Sequence, residues 1–335
     1  MDNQAEFKAL NQFKSLSKDY RNRIKFFYVR CHSILQSTPH LQVNVCDTKF
    51  TLLKAQNELY NRNEKQTELM SDLSSQCILA NHENTVWYDT NGCKLVHYFP
   101  HLISESLSNN ILNEFRTLTT LYPPYAPGVQ EMTSRHQHYL DRKELLQPNT
   151  PCGVYRFTIH HQLAHQFDPP TFSKHFFSNN ATHTFAAIAF RQSEPLRQLS
   201  EFISIVFAGI DAQSWDKYRT AYVQASELFM PLQVIDRCPI QCFVGYYLLV
   251  NMLTTLHRDV LDPLDGWVAM VVLGNYENGE LVLPDIGVAL PYKARDVVFI
   301  RSWALKHFIR EFQGNRYVLV FSTSSSIFEW LKMVY

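Results

Sequence analysis

Hydrophobic positions divide the chain into two textures. In the first, apolar residues recur at helical spacing. Phe7, Leu10, Phe13 and Leu16, then Ile24, Phe27 and Val29, predict one or two amphipathic helices within Phe7–Leu35. Thr51–Gln76 is polar and helix-prone, with Leu52, Leu53, Leu59 and Leu69 as its apolar points. A hairpin follows, Thr85–Tyr88 and Lys94–Phe99 around Asp89-Thr90-Asn91-Gly92, because Asn-Gly supplies the positive φ that a tight hairpin turn demands. Glu105–Leu121 reads as a helix that stops at Tyr122-Pro123-Pro124, and Ser200–Ala208 and Trp215–Leu228 read as helices too.

The second texture begins near Ile240. Cys242–Val250, Trp267–Leu273, Leu281–Leu283, Val288–Leu290, Asp296–Arg301 and Tyr317–Thr323 are short β-rich runs, most of them separated by turn residues. The pattern predicts an α+β protein. Its core would be a double-stranded β-helix of the jelly-roll or cupin kind at about 240–325, with helices covering the sheet. We place a helical region over 1–80 and one larger domain, containing that core, over 81–335.

Composition narrows the function classes. The 335 residues are 46% hydrophobic, with 31 basic and 31 acidic side chains and a formal net charge of zero. A chain that coats phosphate backbones indiscriminately is usually basic, so any nucleic-acid contact here needs positive charge gathered on one face. No apolar run is long enough to span a bilayer, and no membrane partner is expected. Met1–Glu6 lacks the pattern of a secretory leader, and seven unevenly spaced cysteines argue against a disulfide framework, which points to an intracellular, reducing location.

Candidate chemistry lies in the second texture. His257 and Asp259 flank Arg258, and in extended chain residues two apart point to the same side. An imidazole and a carboxylate on one side can bind one cation, and His307, beyond several strands, offers a second imidazole. Two histidines and one carboxylate leave open positions on a metal, the facial triad of non-haem iron(II) oxygenases. Arg316 opens the apolar run Tyr317–Phe321 nine residues later. A buried guanidinium needs an anion, and a dicarboxylate ligand would serve, since guanidinium pairs bidentately with carboxylate.

Those residues, together with Asn251–Leu256, Val272–Tyr276, Gly279–Gly287, Leu290–Tyr292 and Asp296–Phe299, carry a family resemblance. Gln241–Thr323 resembles the 2-oxoglutarate- and iron(II)-dependent dioxygenases, and within them the fungal branch of the TET/JBP group, which oxidises modified nucleic-acid bases. The resemblance implies His257, Asp259 and His307 as both metal ligands and catalytic residues. It implies Arg316 as the partner of the far carboxylate of 2-oxoglutarate, and Asn251 as a candidate second hydrogen-bond partner for that cosubstrate. Fe(2+), 2-oxoglutarate and O2 are the implied cofactors. The implied reaction hydroxylates a methyl C–H while oxoglutarate becomes succinate and carbon dioxide. The implied substrate is DNA, or RNA, bearing 5-methylcytosine or N6-methyladenine, which places the chain in the nucleus rather than the cytoplasm. Two departures stand out. Arg295-Asp296 replaces a Gly-Asp turn, and Val318 stands two residues after Arg316, where many relatives carry a hydroxyl.

Competing readings stay open at this level. The same chemistry on a protein or small-molecule substrate suits the neutral net charge, and a non-catalytic jelly-roll binding module is the third class. His161 and His165, with His160 beside them, have helical metal spacing but lack the glutamate of a His-Glu-x-x-His enzyme, which favours a histidine patch. Arg135-His136-Gln137-His138 reads as a solvated basic loop that could touch a phosphate. Cys238 and Cys242 have no second pair to complete a zinc knuckle. Arg301 could face the pocket mouth or solvent, and Tyr246, Tyr247, Trp267 and Trp303 read as packing, any one of them a stacking platform for a flipped base.

Overall fold

A computed structural model describes residues 74–132, 135–160, 170–228 and 240–334, with isolated positions at 33, 35, 40, 41 and 232. Most of the helical region expected over 1–80 lies outside the described residues. Two short strands come from that stretch: β1 (His40–Leu41) and β2 (Ile78–Leu79). The expected hairpin is present as β3 (Thr85–Tyr88) and β4 (Lys94–Phe99). Its turn is held by the buried Asp89 carboxylate, which accepts from the Asn91 and Cys93 amides at 2.8 Å, with Gly92 at φ +78°.

Next come α1 (Glu105–Leu121), α2 (Val129–Met132) and α3 (Tyr139–Leu145). Ser104 caps α1 by accepting from the Leu107 amide, leaving Ile111, Phe115 and Leu118 on the buried face. Strands β5 (Gly153–Phe157), β6 (Ile159–His160) and β7 (Thr171–Phe172) precede α4 (Ala181–Gln192), α5 (Glu194–Ile210) and α6 (Ala212–Leu228). The last two helices extend the expected ones toward their N-termini. The strand-rich part holds β8 (Gly245–Val250), β9 (Val268–Asn278), β10 (Leu281–Leu283), β11 (Val288–Leu290), β12 (Val297–Ile300), β13 (Phe308–Ile309) and β14 (Phe312–Ser322), and α7 (Ser325–Val334) follows.

The protein is α+β, and most of its strand pairs are antiparallel. A large sheet runs β1-β3-β4-β12-β9-β14-β8-β5, and a small one β13-β10-β11-β2. Side-chain alternation gives the large sheet two apolar faces. Tyr317, Leu319 and Phe321 of β14, Val271 and Leu273 of β9, and Phe299 of β12 pack on α1, α4 and α5. Val318, Met270, Val272 and Val298 face the other way and meet Leu281, Leu283 and Leu290 of the small sheet. Period two therefore sends Arg316 into the space between the sheets. Opposite it on β9, Gly274 sits at φ +126°, where any Cβ would lie 2.1 Å from the Asn315 carbonyl oxygen, so only glycine lets the strands approach there. Among the described residues, no helix is long and apolar enough to cross a membrane.

Candidate active site

His257 and His307 are brought together by an isolated antiparallel bridge, each donating its amide to the other's carbonyl, at 3.1 and 2.9 Å. The rings stand 4.2 Å apart between centroids. His257 Nδ1 lies 2.8 Å from the Thr255 carbonyl, and His307 Nδ1 lies 3.0 Å from that of Leu305. A carbonyl accepts only, so each Nδ1 must carry the proton and each Nε2 keeps its lone pair. Those two Nε2 atoms lie 3.6 Å from Asp259, His257 facing Oδ1 and His307 facing Oδ2. All three ligand atoms fall within 4.8 Å of one another. Such a set offers two ring nitrogens and one carboxylate oxygen to one ion, with each Nδ1–H already held by a carbonyl behind the ring.

The electrostatics suit that role. Burial, then the neighbouring His307, pull the His257 imidazole down to about 3, so it stays neutral. Burial pushes Asp259 up, but His257, His307 and Arg135 outweigh it and hold the carboxyl below its ordinary range. Arg258 reaches Asp285 at 3.2 Å, and the same Asp285 oxygen accepts the Lys306 amide at 2.7 Å. That carboxylate ties the segment bearing His257 and Asp259 to the segment bearing His307.

Arg316 is 2% exposed, and its Nε and Nη2 have no hydrogen-bond partner. The guanidinium carbon lies 5.4, 5.1 and 5.2 Å from the ring centroids of Tyr276, Tyr292 and Phe312. Aromatic faces relieve part of the cost of a buried cation, but they do not satisfy its N–H groups. An acceptor-rich anion such as a carboxylate fits this cradle. Asn251, implied above as a cosubstrate contact, is engaged with the backbone here. It is fully buried, and its Nδ2 donates to the Pro151 carbonyl at 2.9 Å and to Asn315 Oδ1 at 3.3 Å. Its Oδ1 accepts the Arg316 amide at 2.7 Å. With both amide protons engaged it has no donor for oxoglutarate, and it instead pins the backbone that carries Arg316.

Several neighbours were not legible from spacing. Arg135 pairs with Asp259 Oδ1 at 3.0 Å and also with Glu131, which in turn holds Arg156. Burial raises Glu131, yet Arg135 and Arg156 bring it down to about 2. His136 is buried, and desolvation followed by Arg135 lowers it to about 4. The expected solvated loop at Arg135-His136 is thus a partly buried wall of the site, because Glu131 and Asp259 neutralise its guanidinium. Asp262 is pushed well above the carboxylate range by burial and by Asp259, and it accepts from Ser302 Oγ at 2.5 Å. Arg301 faces neither option left open for it. It lies over Trp267 at 4.4 Å and donates to the Lys94 carbonyl at 2.7 Å, a clamp between strands. Tyr246 and Trp267 belong to the helix-side core and Trp303 is buried. His161, His165 and Cys238 lie outside the described residues.

A second histidine-carboxylate group, His82, His101 and Asp296, lies apart from these residues in the chain. The Asp296 oxygens already meet Tyr98 Oη at 2.6 Å, the Lys293 amide at 2.7 Å, the His101 amide at 2.9 Å and His82 Nε2 at 3.0 Å. The saturated carboxylate is a structural tie between β4, β12 and the turn at Arg295.

No family model and no curated protein matches the sequence. Among solved structures, NgTET1 in complex with 5mC DNA aligns over 91% of both chains at 12% identity, with a TM-score of 0.53. The two chains share a fold. An oxidoreductase of the 2OG-Fe(II) oxygenase family from Burkholderia pseudomallei aligns over 56% of this chain and 78% of its own, at 15% identity and a TM-score of 0.28.

Proposed function

We propose that this chain is an iron(II)- and 2-oxoglutarate-dependent dioxygenase that oxidises a methyl group on a modified base in DNA, 5-methylcytosine or N6-methyladenine. In this reading the two facing sheets are a double-stranded β-helix with the site between them. One observation carries the proposal: His257, Asp259 and His307 converge on one point, while β14 carries a buried guanidinium without an anionic partner.

When bound, iron(II), oxoglutarate and dioxygen supply a two-electron oxidation that converts C–H to C–OH as oxoglutarate becomes succinate and carbon dioxide. The residues hold the geometry. His257 and His307 present Nε2 because carbonyls hold Nδ1–H. Arg135 fixes the plane of the Asp259 carboxylate through Oδ1. Arg316 takes the far carboxylate of the cosubstrate, and the apolar lining around it excludes water. The methylated base would leave its stack to reach the site, and a DNA substrate suits a nuclear location. NgTET1, which shares the fold, is described in complex with 5mC DNA, and that supports the nucleobase over other substrates.

Oxoglutarate turnover with oligonucleotides bearing each methylated base, read by the mass of the released nucleosides, tests this. One oxygen is gained by the base per succinate formed, and Asp259→Ala abolishes both. Turnover with methylated proteins or small acids but with no nucleic acid would move the substrate class. The absence of iron binding would overturn the enzyme.

A further inference from the structure

The far-carboxylate end of the site lacks a hydroxyl where the sequence resemblance expects one: position 318 is a valine, buried against the small sheet. A lone guanidinium would then hold that carboxylate. The aromatic cradle of Arg316 contains a hydroxyl from another element. Tyr292 is fully buried, its Oη has no hydrogen-bond partner, and its ring centroid lies 5.1 Å from the Arg316 guanidinium carbon. The neighbouring Tyr276 differs, because its hydroxyl donates to the Tyr292 carbonyl at 2.6 Å.

Two further facts set Tyr292 apart. Its backbone is left-handed, φ +47°, which is unfavourable for a bulky residue and persists only when the surroundings enforce it. That conformation, just after Pro291, accompanies a ring packed inside the barrel. Moreover, neither Arg316 Nε nor Nη2 donates to the nearby hydroxyl. Donors that gather in a buried space without bonding one another call for an acceptor-only partner, and a carboxylate is that group.

We propose that the Tyr292 hydroxyl is the second donor to the far carboxylate of 2-oxoglutarate, replacing from the β11–β12 connection the hydroxyl that position 318 lacks. This rests on the oxoglutarate reading above. Tyr292 is a cosubstrate-positioning residue, and its hydroxyl makes no bond when the carboxylate is absent.

The test uses the full chain loaded with manganese(II), titrated calorimetrically without oxygen, wild type against Tyr292→Phe. Loss of one hydrogen bond to a charged group weakens 2-oxoglutarate about tenfold or more. Binding of 2-oxobutanoate, which has the keto-acid end but no far carboxylate, stays within twofold. The melting temperature without cosubstrate is unchanged or raised, because the deleted hydroxyl had no partner. Equal weakening of both ligands, an unchanged 2-oxoglutarate affinity, or a lowered melting temperature without cosubstrate would each overturn the assignment. Failure of the wild type to bind 2-oxoglutarate would instead overturn the oxoglutarate reading on which it rests.

Discussion

Asn251 offers the sharpest test of how the site is built. It sits at φ +53°, fully buried, with Oδ1 on the Arg316 amide at 2.7 Å and Nδ2 on the Pro151 carbonyl at 2.9 Å. Asn251→Ala strips those bonds and leaves the Arg316 N–H without its acceptor, at a cost of about 1–3 kcal/mol. It also forces a Cβ without a compensating polar group into the left-handed region, costing roughly 1 kcal/mol more. Asn251→Gly loses the same bonds but not the backbone tolerance. An unfolding entropy of about 2.1 cal/mol/K per residue over a chain of this length is roughly 0.7 kcal/mol/K. Alanine should therefore lower the melting temperature by about 3–6 °C, and glycine by about 1–2 °C less than alanine, the reverse of their order in a helix. Differential scanning calorimetry of both variants without cosubstrate decides it. Wild-type melting in Asn251→Ala, combined with weakened oxoglutarate binding, would show that the amide touches the cosubstrate directly and would refute the tie.

Two other consequences follow from the same geometry. Arg316→Met should leave the melting temperature without cosubstrate within about 3 °C of wild type, since a buried charge without an anionic partner is lost along with its contacts to Tyr276, Tyr292 and Phe312. The wild type at a hundredfold excess over its Kd gains about 2.7 kcal/mol, roughly 4 °C, from oxoglutarate with manganese(II), and the variant should lose nearly all of that shift in thermal-shift assays. Acid stability is the second. His136 and His175, lowered by burial and then by Arg135 and Arg156 respectively to about 4 and about 3, stay neutral in the fold and take up protons only on unfolding. Between pH 6.5 and about 4 the unfolded chain therefore binds more protons, and stability falls as pH falls, by about 1.4 kcal/mol per unit for each histidine. Urea unfolding at stepped pH should show this slope, and His136→Gln should lower it by about 1.4 kcal/mol per unit. Flat stability between pH 6.5 and 5 would exclude it.

Much of the architecture was legible in the sequence because its signals are local. Asn91-Gly92 marked the hairpin, Glu105–Leu121 read as the helix that is α1, and Arg316 at the head of the apolar run Tyr317–Phe321 read as a buried guanidinium. His257, Asp259 and His307 could be named because a two-residue spacing and a distal histidine are chemical patterns, and the fold does bring them together. Their partners were not legible. Arg135 meets Asp259 across 124 positions, and His82 meets Asp296 across 214. The resemblance implied Asn251 as a cosubstrate contact but could not show its amide on the backbone of Arg316, and Tyr292 entered only within the run Leu290–Tyr292. Periodicity reports which face of an element is apolar. Which polar groups share a buried space is decided by packing between distant segments, because only there does the need to satisfy every desolvated donor select its partner.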